Sequence, residues 1–195
     1  MKYEPLTQER VFDKISFARI LNVHEKNEEG ETPLHIASNQ GQIELVASLI
    51  ERGAELDTSS NLGYTALHYA ASKYNKEIVR MLIDNGADIN SRSNFGYTPL
   101  HYAIHHFRTE IAKMLLDKGA NINIRNIFGN TPLHCVAVLG NMEAVRLLIE
   151  YGASLFLEDE SEFNALQLAI KGGYIEVADM IEIGMKNSLL CHQRF

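Results

Sequence analysis

Cysteine is nearly absent from this 195-residue chain, occurring only at Cys135 and Cys191. Two cysteines cannot build a disulfide framework, which points to a reducing compartment. Long apolar runs are missing as well. No stretch approaches the roughly 20 apolar residues of a membrane helix. Met1-Lys2-Tyr3-Glu4-Pro5 opens no run of the signal-peptide kind. Cys191 stands fifth from the end, so Cys191-His192-Gln193-Arg194-Phe195 is not a prenylation box. These absences predict a soluble, cytoplasmic protein. A secreted effector lacking a cleavable signal and working in a host cytosol would read the same way. Positive charge is also short: 18 Lys and Arg stand against 25 Asp and Glu, a net charge of −7. That disfavours nucleic acid as a partner, because phosphate binding rests on clustered Lys and Arg. Finally, no Gly-x-x-x-x-Gly-Lys, Gly-x-Gly-x-x-Gly or Gly-x-Ser-x-Gly loop occurs, so the common phosphate-cradling and nucleophile-elbow motifs are missing.

What is present is a repeat. Thr32-Pro33-Leu34-His35-Ile36-Ala37 returns as Thr65-Ala66-Leu67-His68-Tyr69-Ala70, Thr98-Pro99-Leu100-His101-Tyr102-Ala103 and Thr131-Pro132-Leu133-His134-Cys135-Val136. A decayed copy reads Asn164-Ala165-Leu166-Gln167-Leu168-Ala169. The five starts are spaced by 33 residues each time, without an insertion. Each part has a physical reading. Thr accepts an N–H bond at a helix start, and Pro fits the first helical position, where no donor is needed. Leu faces inward, and small Ala lets the next helix approach. A second helix follows at Ile43–Ile50, Glu77–Ile83, Glu110–Leu116 and Met142–Ile149, with apolar residues at three- and four-residue steps. Gly53, Gly86, Gly119 and Gly152 end these helices, and Gly63, Gly96 and Gly129 turn the chain back in an extended finger.

The spacing and motif resemble the ankyrin repeat family over about residues 25–185. The resemblance implies an all-α repeat solenoid: paired antiparallel helices with β-hairpin-like fingers, five repeats and an N-terminal capping helix. The expected boundaries are 1–29 for the cap and lead-in, then repeats at 30–62, 63–95, 96–128, 129–161 and 162–187. Repeat 5 serves as the C-terminal cap, and a loose tail is expected at 188–195. No repeat can bury its apolar face alone, so the ends need covers. Val11, Phe12, Ile15 and Phe17-Ala18 are the expected cover at one end. The helix-cap reading of residues 4–21 competes with that of an adaptor box recruiting ubiquitin-ligase machinery.

Eight histidines invite a metal or enzyme reading. The resemblance implies that His35, His68, His101 and His134 instead tie the Thr turn to the neighbouring finger backbone. His101 and His105 stand four apart, a chelating spacing, but without the Glu of a His-Glu-x-x-His helix. His105, His106 and Cys135 are the residues on which an alternative metal-binding or enzymatic function would rest. No cofactor is expected, and Glu28-Glu29 and Glu158-Asp159-Glu160 read as solvated charge. Asn90 and Asn123 resemble finger positions that are hydroxylated in this family.

The resemblance implies binding of another protein through fingertips and inner helices. In this chain those positions are apolar and aromatic. Leu62, Phe95 and Phe128 stand at the tips, followed by Tyr64 and Tyr97. The inner helices carry Tyr69, Tyr102 and Cys135, with Lys73, His105, His106 and Leu139 farther along. Contiguous exposed apolar surface marks contact sites, and Tyr is enriched among hot spots. Tyr64 and Tyr97 have a structural reading too, as packing for the next finger. Where Gly41, Gly140 and Gly173 turn between paired helices, Tyr74 and Phe107 stand instead. Either the turn is rebuilt there or the aromatics extend the surface. Charge is uneven: residues 63–128 carry eight basic against five acidic side chains, between two acidic ends. With Lys73, Arg92, Arg108 and Arg125 in that stretch, the expected partner has an acidic, apolar-anchored segment. The expectation is therefore a monomeric interaction module acting as adaptor or inhibitor through repeats 2 to 4. A host-directed effector of a bacterium or parasite is the alternative in the same class.

Overall fold

The computed structural model describes residues 22–192. The described residues form ten helices and no strand: α1 (Pro33–Gln40), α2 (Ile43–Glu51), α3 (Ala66–Ser72), α4 (Lys76–Asp84), α5 (Pro99–His105), α6 (Thr109–Asp117), α7 (Pro132–Ala137), α8 (Met142–Glu150), α9 (Ala165–Lys171) and α10 (Ile175–His192). The odd-numbered helices pack on one another in succession as an inner row. Each even-numbered helix packs behind the odd-numbered one before it. The result is the expected all-α solenoid.

Stacking explains the sequence pattern. Leu34, Leu67, Leu100 and Leu133 are fully buried, as are Ala37, Ala70, Ala103 and Ala169 on the same row. Ala places no atom beyond Cβ between inner helices, while each Leu fills the space behind. Burying such a Leu contributes roughly 1.5–3 kcal/mol. Each inner helix starts on a two-way cap, in which the Thr side chain meets the third helical residue and His35, His68, His101 or His134 reaches back to the Thr backbone. Asn164 and Gln167 rebuild the same box in repeat 5.

The His rings do a second task. Nδ1 accepts from the Thr N–H, so Nε2 carries the proton, and in three repeats it donates to the next finger's carbonyl. His35 reaches Tyr64 at 2.9 Å, His68 reaches Tyr97 at 3.0 Å and His101 reaches Asn130 at 3.3 Å. The fingers are turns rather than strands. Each closes on itself by two main-chain bonds, such as Ser60 N–H to Tyr64 O with Gly63 N–H to Ser60 O, or Ser93 N–H to Tyr97 O with Gly96 N–H to Ser93 O. Side chains add a ladder one repeat long: Asp57, Asn90 and Asn123 each accept an N–H from the following repeat, at 2.8–2.9 Å.

Two ends need comment. The expected N-terminal cover of Val11, Phe12, Ile15 and Phe17-Ala18 lies outside the described residues, as does the stretch 4–21. At the other end no loose tail begins at 188, because α10 runs on to His192. The reason is legible in register. Met185 holds the place of the stop glycines Gly53, Gly86, Gly119 and Gly152, so nothing there favours the left-handed backbone that ends the other outer helices.

Candidate protein-interaction surface

The fingertips present one row. Leu62, Phe95 and Phe128 are 51%, 44% and 50% exposed, unusual values for large apolar side chains in adjacent repeats. Glu29 and Ser161 hold the equivalent places ahead of α1 and α9, so the apolar row is confined to the tips that lead into α3, α5 and α7, the inner helices of repeats 2 to 4. The row is held rigidly. The carbonyls of Leu62, Phe95 and Phe128 accept from Asn94, Ile127 and Glu160 N–H of the following finger, at 3.0–3.1 Å. Ile127, also exposed, widens the row. Sequence reasoning passed over it, although it stands where Asn61 and Asn94 stand in the two preceding repeats.

Behind the tips lies an aromatic floor. Tyr64 meets Tyr69 edge-on at 5.7 Å and Tyr102 of the next repeat at 5.3 Å, while Tyr97 meets Tyr102 at 6.1 Å. His106 stacks on Tyr102 at 6.2 Å and touches His105 at 5.2 Å. Edge-to-face pairs of this kind contribute about 0.5–1.5 kcal/mol each beyond area burial. The tyrosines thus cross-link repeats 2 and 3 while each stays partly exposed. The Tyr69 hydroxyl donates to Glu31 at 2.5 Å. Burial first, and that carboxylate second, push the Tyr69 phenol far up. Burial likewise raises Tyr102. Both are neutral hydrogen-bonding groups at any physiological pH.

The cations divide into two sets. Arg92 donates to the Arg125 carbonyl, and Arg125 donates to the Gly129 and Glu158 carbonyls and pairs with Glu160 at 3.4 Å. These two brace successive fingers. Lys73 is exposed at the far end of the floor. Arg108 donates to Ser72 O at 3.1 Å and lies 3.7 Å over the Tyr74 ring.

Tyr74 and Phe107 resolve the turn question in two different ways. Phe107 keeps the glycine backbone, with φ 58° against 72° at Gly41 and 69° at Gly140. Arg108 N–H then bonds Ala103 O at 2.8 Å, as Gln42 N–H bonds Ala37 O. In repeat 2 the turn is rebuilt: Lys73 is extended at φ −106° and ψ 176°, and Asn75 caps α4 with its side chain.

Among the described residues no three His, Cys, Asp or Glu side chains stand together as a metal-ion cage, and His105, His106 and Cys135 are not such a group. Burial pushes the Cys135 thiol up to about 12, opposite to what a nucleophile needs. Val138 is exposed and Leu139 half-buried beyond α7. Two clefts of about 320 and 160 Å³, around Tyr174 and around His24, include none of the fingertip or floor residues.

A family model of ankyrin repeats, in three copies, matches residues 11–93, 56–126 and 122–187. The chain belongs to the ankyrin repeat family. No curated protein sequence matches the chain. Ankyrin repeats generally mediate protein–protein interaction. No helix among the described residues is long and apolar enough to cross a membrane. Within this ankyrin array His35, His68 and His101 are engaged in tying successive repeats together.

Proposed function

We propose that this ankyrin array is an interaction module, an adaptor or inhibitor, that takes a partner protein on repeats 2 to 4. The contact line is Leu62, Phe95 and Phe128 at the tips, with Tyr64, Tyr69, Tyr97 and Tyr102 as floor. Lys73, His105, His106, Cys135 and Leu139 border the floor. The observation that carries the reading is the tip row itself. Three large apolar side chains are half in water, and their backbone is fixed by finger-to-finger bonds. Rigid, pre-positioned apolar groups lose little entropy on binding, which is what an anchor requires.

The partner in this reading carries an apolar-anchored segment with acidic residues that meet Lys73 and the imidazoles. The free protein is monomeric and cytoplasmic. The test is affinity measurement on a captured partner with Phe95→Ala and Phe128→Ala combined. Loss of binding by more than about tenfold is expected. Unchanged affinity would remove the tips from the interface.

A further inference from the structure

Lys73, His105, His106 and Arg108 meet where α3 and α5 finish, at the end of the floor away from the fingertips. His106 stacks on Tyr102 at 6.2 Å with the ring planes 20° apart, and His105 stands against it at 5.2 Å. Arg108 is fixed from two sides. Its Nε donates to Ser72 O at 3.1 Å, and its guanidinium lies 3.7 Å over the Tyr74 ring. Ser72 immediately precedes Lys73, so the Arg108 side chain crosses from repeat 3 to the Lys73 backbone. The four groups act on one another. Burial first, then His105, Arg108 and Lys73, hold His106 below its usual value.

No anion answers this charge. Among the described residues the ion pairs are Lys76–Glu110, Lys118–Asp84, Arg125–Glu160 and Lys186–Glu182, and none involves the four groups. Glu77 and Glu110, the carboxylates nearest along the chain, stand on the outer helices α4 and α6, and Glu110 is held by Lys76. On the other side of α5, α7 carries no Asp, Glu, Lys or Arg, and its buried His134 is engaged with Thr131. Helix ends draw cations, and Arg108 meets that need at Ser72 O. Among the described residues Lys73, His105 and His106 bond no carbonyl with their side chains, and the terminal nitrogens of Arg108 make no bond.

The donor set selects the kind of anion. A carboxylate brings one charge and two oxygens. A phosphate monoester brings nearly two charges near neutrality and three strong acceptor oxygens. Two permanent cations match its charge, and a guanidinium with both terminal nitrogens free suits a paired contact with two of its oxygens. Two imidazoles held neutral by neighbouring cations can take up a proton when the anion arrives.

Resting on the partner reading above, we infer that Lys73, His105, His106 and Arg108 form an anion site that takes a phosphorylated side chain of the partner protein.

The experiment titrates phenyl phosphate and benzoate, one ring bearing the two competing anions, into the intact chain at pH 7 and fixed ionic strength. The imidazole signals are followed by NMR. Phenyl phosphate should shift the His105 and His106 signals saturably and raise the pH midpoint of His106. Benzoate should bind at least about tenfold more weakly. His24, exposed ahead of repeat 1, should not respond. Lys73→Gln changes an exposed side chain and leaves the Arg108 contact in place, so it should weaken phenyl phosphate about tenfold at an unchanged thermal midpoint. Equal affinity for benzoate, a His24 response matching that of His106, no saturable shift, or unchanged binding by the Lys73→Gln chain overturns the site. The captured partner is then measured before and after phosphatase. Its affinity should fall at least about tenfold, and an unchanged affinity overturns the phosphorylated side chain as occupant. The two readings fail separately. Phenyl phosphate is measured without the partner, so its failure leaves the fingertip reading standing. An affinity that ignores Phe95→Ala with Phe128→Ala but falls with phosphatase removes the tips and supports the anion site.

Discussion

His68 donates from Nε2 to the carbonyl of Tyr97, 3.0 Å away in the next repeat, while its Nδ1 accepts from the Thr65 N–H at 3.1 Å. Both bonds need the neutral ring with its proton on Nε2. Burial holds His68 and His101 down to about 4, and lowers His35 and His134 as well. In the unfolded chain these residues titrate near 6.5. Above that pH neither state binds the proton and the histidine contribution is complete. As pH falls from 6.5 towards 4, the unfolded chain takes up protons the folded chain refuses. Stability therefore falls with pH, by up to about 1.4 kcal/mol per pH unit for each such His. Urea midpoints between pH 7.5 and 5, above the carboxylate range, should show this. Gln167 already replaces His in repeat 5. A chain with His68→Gln and His101→Gln should be less stable at pH 7 and should show a flatter slope.

Glu162 sits at φ 64°, in register with Gly30, Gly63, Gly96 and Gly129 at 75–79°. It is the finger glycine of repeat 5 replaced by a charged residue. Glu162→Gly should stabilise the chain by about 0.5–1 kcal/mol, the relief of left-handed strain less the added freedom of glycine in the unfolded chain. Glu162→Ala keeps the strain and should give no such gain. Denaturant titration of the two variants together decides the point. A gain from both would mean that charge at 162, and not its backbone, was the cost.

The helices and their pairing were legible because their information is local and repeated. Thr, Pro, Leu and Ala at fixed offsets define a cap, a start and two buried faces, and 33-residue spacing stacks them. The exposed tips were legible for the same reason, since Leu62, Phe95 and Phe128 depart from that register at one place. What escaped were choices between backbones of nearly equal energy. Phe107 keeps the left-handed turn and Tyr74 does not, although both replace the same glycine. The deciding contacts, Asn75 with Gly41 O and Arg108 with Ser72 O, come from neighbouring repeats. Arg92 and Arg125 look like free charge until the carbonyl 33 residues on is seen beneath each. The run of α10 past Met185 was readable, but only by noticing that a glycine was missing.

Asn90 tests the finger ladder. Its Oδ1 accepts the Asn121 N–H at 2.8 Å, just as Asp57 accepts that of Asp88. Asn90→Ala leaves the Asn121 N–H without its acceptor and should cost roughly 0.5–1.5 kcal/mol. Asn90→Asp keeps an acceptor oxygen in the same place and should stay within about 0.5 kcal/mol of the parent. Thermal midpoints of both variants would show it, and equal losses would mean the side-chain amide nitrogen matters instead.

Cys135 offers a direct check on the enzyme alternative. Reaction with a disulfide reagent requires thiolate, and a thiol pushed up to about 12 holds far less of it near neutrality than one at its ordinary value of 9.0. In a Cys191→Ser background the native chain should react at least about a hundredfold more slowly than the same chain in denaturant, at matched pH. The comparison isolates the fold from the residue, because the same sulfur is measured in both states. Fast native reaction, with a rate that levels off below pH 8, would show an activated thiolate on α7. It would bring His105, His106 and Cys135 back as chemistry rather than as the border of a binding floor.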